Sequence, residues 1–269
     1  MEDFVIVLYL CGVEFCLKTK NPASSSTFII RERKFPGLRN KSSKKYVYMQ
    51  MILDKRFFEK IFSEKRLEKY FTRHGDTEKA MTHYRCNIEL SEVFYPCIST
   101  FEVVLRNAIS RELSVLFGRD DWYTVFAVTP GLTGLNEYIQ QANRQMSNRK
   151  EYSSSSKIIA ELTLGFWVSL FNVEYERLLW KDLRRVFPNM PKKERQRKNI
   201  APPLNRFRAF RNRIFHHEPI SWNMQTLYTI HAEMLTVLGW INKDIPQWTA
   251  TFDRFDTVFQ KSKNEMLIL

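Results

Sequence analysis

The chain has 269 residues and a formal net charge of +13, from 42 Lys and Arg against 29 Asp and Glu. With 44% hydrophobic and 14% aromatic residues it has ample apolar material for a core, so global disorder is excluded. Eight glycines and ten prolines are too few turn-makers for a sandwich or barrel of many short strands; four cysteines (Cys11, Cys16, Cys86, Cys97) with no C-x-x-C pair exclude a disulfide scaffold and the common zinc pattern.

Residues 1–50 read differently from the rest. Phe4 to Leu10, FVIVLYL, has strand character. It follows Glu2 and Asp3 and lacks a small-residue cleavage site, which argues against a secretory signal. It is also too short for a bilayer span of about 20 residues. Asn21 to Thr27, NPASSST, has loop composition, and Arg31 to Lys45 is basic and broken by Pro36 and Gly37. We read residues 1–50 as an appended, irregular segment, either upstream sequence from an early start codon or a nucleic-acid-binding arm. The helical domain is then 51–269.

Helical patterning covers that domain. Ile52 to Phe71 and Glu78 to Phe94 are helical stretches, and Pro96 suits the first turn of the next helix. That helix places Ile98, Phe101, Leu105, Ala108, Ile109, Glu112 and Leu116 on one side, and Gly118 stops it. After a loop at Pro130 to Gly134, Leu135 to Asn148 is helical. Lys157 to Asn172 is apolar nearly all round and reads as one central buried helix; its length and Glu161 argue against a membrane span. Tyr175 to Phe187 is another helix. Pro202 and Pro203 open a helix running to about His217, which Pro219 ends. Met224, Leu227, Tyr228, His231, Leu235, Leu238 and Ile241 mark one more. The expected architecture is an all-α bundle of roughly seven or eight helices.

Residues 204–220 carry the chemistry: LNRFRAFRNRIFHHEPI. Asn212 and His216 are one turn apart on one face. Arg211 lies about 100° from Asn212, so the three fit an arc of about 140°. Leu204, Phe207, Ile214 and Phe215 supply an apolar stripe, and Arg211 falls on it. An arginine there is costly to desolvate unless a carboxylate, a phosphate or a partner chain meets it. The same spacing also suits a capping and ion-pair arrangement at a helix end, with His216 near the negative pole of the dipole. His217 is taken as a supporting residue, with Glu218 beside it. His231, on an apolar stripe, is expected to be a satisfied core histidine, and His74 and His83 have no partner in sequence. Neither HExxH nor any two-histidine metal spacing occurs, so no metal or cofactor is expected.

Charge converges on this segment. Between Lys181 and Arg213, twelve basic residues face two acidic ones, a net +10 in 33 residues. Lys192, Lys193, Arg195, Arg197, Lys198, Arg206, Arg208 and Arg213 are candidates for an RNA backbone. Pro188 to Pro203 also reads in part as an exposed basic linker. The first 50 residues add +5, nine basic against four acidic, so the remaining segments are together net acidic by two.

Arg211-Asn212, three residues, then His216 resembles the Arg–polar–x3–His signature of the HEPN superfamily of α-helical ribonucleases. The longer string FRNRIFHHEPI, Phe210 to Ile220, resembles the Abi-like family of HEPN proteins, associated with bacterial abortive infection. Leu90 to Leu113 (LSEVFYPCISTFEVVLRNAISREL) and Lys157 to Trp180 (KIIAELTLGFWVSLFNVEYERLLW) also fit, so the resemblance runs from about Met51 to Ile241. It implies a metal-independent endoribonuclease, active as a homodimer in which two signature helices face each other. In such an enzyme His216 would act as general acid or base, Arg211 would stabilise the phosphorane charge and Asn212 would orient the scissile phosphate. Glu102 and Arg106, at i,i+4 ion-pair spacing, would be scaffold or supporting residues. RNA and an antitoxin (protein or RNA) would be partners, in the cytoplasm and away from any membrane. Two alternatives stand beside this: a non-catalytic HEPN module that binds RNA or nucleotides, and a modifier of nucleotides or RNA.

Overall fold

The computed structural model describes residues 54–269 except 153, together with the backbone of three strands: β1 (Val5–Leu10), β2 (Val13–Lys18) and β3 (Thr27–Arg31). These strands form an antiparallel meander in the order β1-β2-β3, with Val7 opposite Cys16 and Cys16 opposite Ile29. Part of the segment expected to be irregular thus has regular backbone, over 5–10, 13–18 and 27–31, where the strands satisfy one another's N–H and C=O groups. Most of the expected Asn21 to Thr27 loop and of the basic stretch Arg31 to Lys45 lies outside the described residues.

The helices are α1 (Lys55–Phe62), α2 (Glu64–His74), α3 (Thr77–Val93), α4 (Tyr95–Phe117), α5 (Asn136–Asn148), α6 (Ser155–Glu161), α7 (Leu164–Ser169), α8 (Glu176–Leu183), α9 (Arg197–Phe215), α10 (Met224–Ile241), α11 (Ile245–Ala250) and α12 (Phe255–Leu267). Short 3-10 turns flank several of them. The chain divides into two compact units, Met1–Ala80 and Met81–Leu269, with the division inside α3. In the first unit, Asp54 caps α1 by accepting from the Phe57 N–H at 2.9 Å. Ser63, at φ 70°, breaks the expected single helix Ile52 to Phe71 into α1 and α2.

The second unit is wholly helical and holds the main core. Its hub is α4. Pro96 lies in the first turn of α4, and Gly118 ends it in the left-handed region at φ 65°, as the sequence indicates. Along α4, Ile98, Phe101, Leu105, Ala108 and Ile109 are buried, and the helix packs on α7, α8, α10 and α11. It meets α9 through two edge-to-face ring pairs, Phe94 with Phe210 at 4.7 Å and Phe101 with Phe207 at 5.2 Å. Each buried phenylalanine contributes about 1.5–3 kcal/mol of transfer free energy.

Three expectations are corrected. Lys157 to Asn172 is not one helix but α6 and α7, separated by Leu162 in extended conformation. Thr163 caps α7 by accepting from the Phe166 N–H. The break lets α7 bury Leu164, Phe166, Trp167 and Val168 while Glu161 remains paired with Arg149 at 2.6 Å. Helix α9 starts at Arg197, ahead of Pro202 and Pro203, which lie inside it. The carbonyls left without a helical N–H partner are those of Lys198 and Asn199, both exposed residues, so the prolines cost little there. The helix count also exceeds eight, because the expected elements are split and α11 and α12 extend beyond the last predicted helix. No helix among the described residues is long and apolar enough to cross a membrane.

Candidate active site

The last turn of α9 carries the predicted cluster. Arg211 donates through Nε to Glu102 Oε1 of α4 at 2.8 Å, and its guanidinium carbon sits 4.1 Å from the centroid of the Phe215 ring. Side-chain exposure is 32% for Arg211 and 29% for Glu102, so both groups are partly desolvated. The expected cost of an arginine on the apolar stripe is therefore met by a carboxylate and an aromatic face. Glu102 takes Arg211 instead of Arg106 one turn along; the Arg106 Nε donates to the neighbouring Asn107 Oδ1 at 3.4 Å. Phe215, read from the sequence as part of the apolar stripe, is 45% exposed; Phe210 occupies the core position instead.

Asn212 and His216 are exposed on successive turns, linked by the His216 N–H to the Asn212 carbonyl at 2.9 Å. Helix α9 closes in a Schellman arrangement. The His217 N–H donates to the Ile214 carbonyl and the Glu218 N–H to the Arg213 carbonyl, at 2.9 and 2.8 Å. His217 occupies the left-handed position at φ 57°, where glycine is the usual residue. Glu218 also accepts from Arg213 Nε at 3.3 Å, and Arg213 donates to the Pro219 carbonyl. His217, Glu218 and Arg213 thus shape the turn that presents His216.

Asn87, which the sequence did not single out, and His83, read there as a lone histidine, hold the chain beyond this turn. Buried Asn87 of α3 accepts from the Ile220 and Ser221 N–H groups at 2.7 and 3.1 Å. His83, four residues earlier, lies with Nε2 3.0 Å from Ser221 Oγ and edge-on to Trp222 at 4.5 Å. The signal for Asn87 was weak: a poor helix former in mid-helix, three residues before the buried Leu90. His231 is the expected core histidine, stacked on Phe255 at 3.9 Å with Nε2 2.6 Å from Asp253 Oδ2. Burial pushes the Asp253 carboxyl up, but hydrogen bonds from His231 and the Phe255 N–H leave it below the ordinary carboxylate range.

The basic run is not one uniform surface. Arg195 donates to the Pro188 and Met190 carbonyls, Arg197 pairs with Glu176 at 2.8 Å and Arg206 pairs with Glu233 at 2.8 Å. Lys192, Lys193 and Lys198 are exposed, Arg208 is half-buried, and none of the four has an ion pair among the described residues. Among the described residues no group of three His, Cys, Asp or Glu side chains gathers as a metal site, and Cys86 and Cys97 are buried free thiols. No protein-family model, curated protein or solved structure matches the chain.

Proposed function

We propose that the chain is a metal-independent endoribonuclease of the HEPN type, similar to the Abi-like family, acting in abortive infection or a toxin–antitoxin system. The observation that carries this reading is the end of α9. An arginine oriented by a carboxylate and an aromatic ring lies one turn from an exposed histidine, beside an exposed asparagine. The resemblance of Phe210 to Ile220 to the family supplies the chemistry.

The substrate brings its own nucleophile. The ribose 2′-oxygen attacks phosphorus, the bond from phosphorus to the 5′-oxygen breaks, and a 2′,3′-cyclic phosphate and a 5′-hydroxyl form. His216 takes the proton from the 2′-OH or gives one to the 5′-oxygen, work suited to an imidazole. Arg211, whose Nη groups are not used by Glu102, stabilises the charge that builds on the phosphorane. Asn212 orients the scissile phosphate. A homodimer, an antitoxin and a cytoplasmic setting belong to the same proposal. Expression is expected to slow growth, and His216→Ala to relieve it; equal growth arrest by both proteins would count against the assignment.

One observation favours a second reading. Glu102 compensates the charge of Arg211 in the free chain, which is also what a binding module without catalysis would show. RNA binding without any cleavage product identifies that case.

A further inference from the structure

Of the twelve basic residues between Lys181 and Arg213, six are tied to acidic side chains or backbone carbonyls. These are Arg185, Arg195, Arg197, Arg206, Arg211 and Arg213. Among the described residues the other six, three of them Lys192, Lys193 and Lys198, have no such tie. Those three lie just before and at the start of α9, whereas His216 lies at its end.

Geometry links the two ends. Lys198 and His216 are separated by 18 positions, five turns at 3.6 residues each, so they share one face about 27 Å apart. Pro202, Asn205, Arg206, Ala209, Asn212 and Arg213 fall on or beside that face between them; all are exposed except Asn205, which is half-buried. The loop that bears Lys192 and Lys193 is held in place. Arg195 bonds the Pro188 and Met190 carbonyls, the Asn189 N–H donates to the Trp240 carbonyl at 3.0 Å, and the Asn199 side-chain amide donates to the Glu194 carbonyl at 2.8 Å. The lysines are therefore carried on a fixed platform.

Resting on the ribonuclease reading, we infer that the exposed face of α9 is a track for a single RNA strand, held at Lys192, Lys193 and Lys198 and cleaved at His216. A stacked strand advances about 3.4 Å per nucleotide, so the track spans about eight nucleotides. The substrate class is thus an extended single strand, not a dinucleotide or a free nucleotide. The small or already paired residues in the middle of the face leave the strand a path without adding charge. Binding strength is then concentrated at one end and chemistry at the other.

The test uses full-length protein carrying His216→Ala, which binds without cutting, and labelled single-stranded RNAs of 4 and 20 nucleotides. The 20-mer is expected to bind at least tenfold more tightly than the 4-mer. In that background Lys192→Glu/Lys193→Glu/Lys198→Glu is expected to cut this preference at least fivefold. It is also expected to lower the salt slope for the 20-mer by about 2, three phosphate contacts at about 0.7 each. The charge-matched control Lys69→Glu/Lys243→Glu/Lys263→Glu is expected to keep most of the preference. The milder Lys198→Gln replaces the triple variant if the latter melts below the parent. No length preference, or an equal drop with both triple variants, overturns the track. Failure of the wild-type chain to cleave the 20-mer overturns the ribonuclease reading instead, and leaves the binding comparison decisive for the track.

Discussion

Arg211 and Glu102, 109 residues apart in sequence, meet at 2.8 Å between α9 and α4. The contact couples the residue proposed to stabilise the phosphorane to the central helix of the fold. Both partners are about 30% exposed, so the pair is expected to add under about 1 kcal/mol of stability. Its larger effect is on orientation. Glu102→Ala is expected to leave the urea midpoint nearly unchanged and to lower RNA cleavage at least tenfold. A fall in stability that accounts for the lost activity contradicts this.

The turn at His217 gives a second prediction. At φ 57° a histidine pays the cost of the left-handed region, which glycine escapes. His217→Gly is therefore expected to be more stable than His217→Ala by about 1 kcal/mol, measured by urea unfolding. Equal stability of the two variants would show that the left-handed position is not held in solution.

Asn87 gives a third. Its side-chain oxygen is the acceptor for two backbone N–H groups in the buried turn after the histidines. Asn87→Ala leaves both groups without that acceptor, at about 1–3 kcal/mol each. The expected loss is about 3 kcal/mol in a cooperative unfolding curve, with faster amide exchange at Ile220 and Ser221. Unchanged exchange at these two positions contradicts the assignment.

The fourth concerns acid. The folded Asp253 carboxyl titrates below its ordinary value: burial works against this shift, and the hydrogen bonds from His231 and the Phe255 N–H outweigh it. A depressed carboxylate contributes stability that is fully present above the unfolded pKa of about 3.9 and is lost as pH falls through the folded value. The stability difference between wild type and Asp253→Asn is therefore expected to shrink as the solution is acidified below about pH 4. A difference independent of pH refutes it.

How much of this was legible in the sequence follows from how local each cause is. Pro96 and Gly118 bracket α4 by backbone chemistry that acts within a turn, and both ends of that helix were readable. The shared face of Asn212 and His216 was readable for the same reason. Arg211 on an apolar stripe signalled that a partner was needed, but the identity of that partner depends on how α4 and α9 pack. The break at Thr163 was hidden because an apolar run suits either one buried helix or two, and a hydroxyl cap decides between them. Pro202 and Pro203 misled because prolines favour a first turn, whereas here the exposed residues Lys198 and Asn199 tolerate them one turn further in. The +10 cluster was counted correctly, but half of its side chains are tied to acids or carbonyls elsewhere in the fold.

The central claim is that His216 transfers a proton in the cleavage of RNA through its own 2′-hydroxyl. The direct measurement compares purified wild-type and His216→Ala protein, in EDTA, on a 20-nucleotide RNA and on the same strand with every 2′-hydroxyl removed. The expected result is cleavage of the RNA alone, with 2′,3′-cyclic phosphate ends and a rate at least 100-fold lower for His216→Ala, within the usual range for losing a general acid or base of roughly 10²–10⁴. Equal cleavage by the two proteins, or cleavage of the strand lacking 2′-hydroxyls, would contradict it.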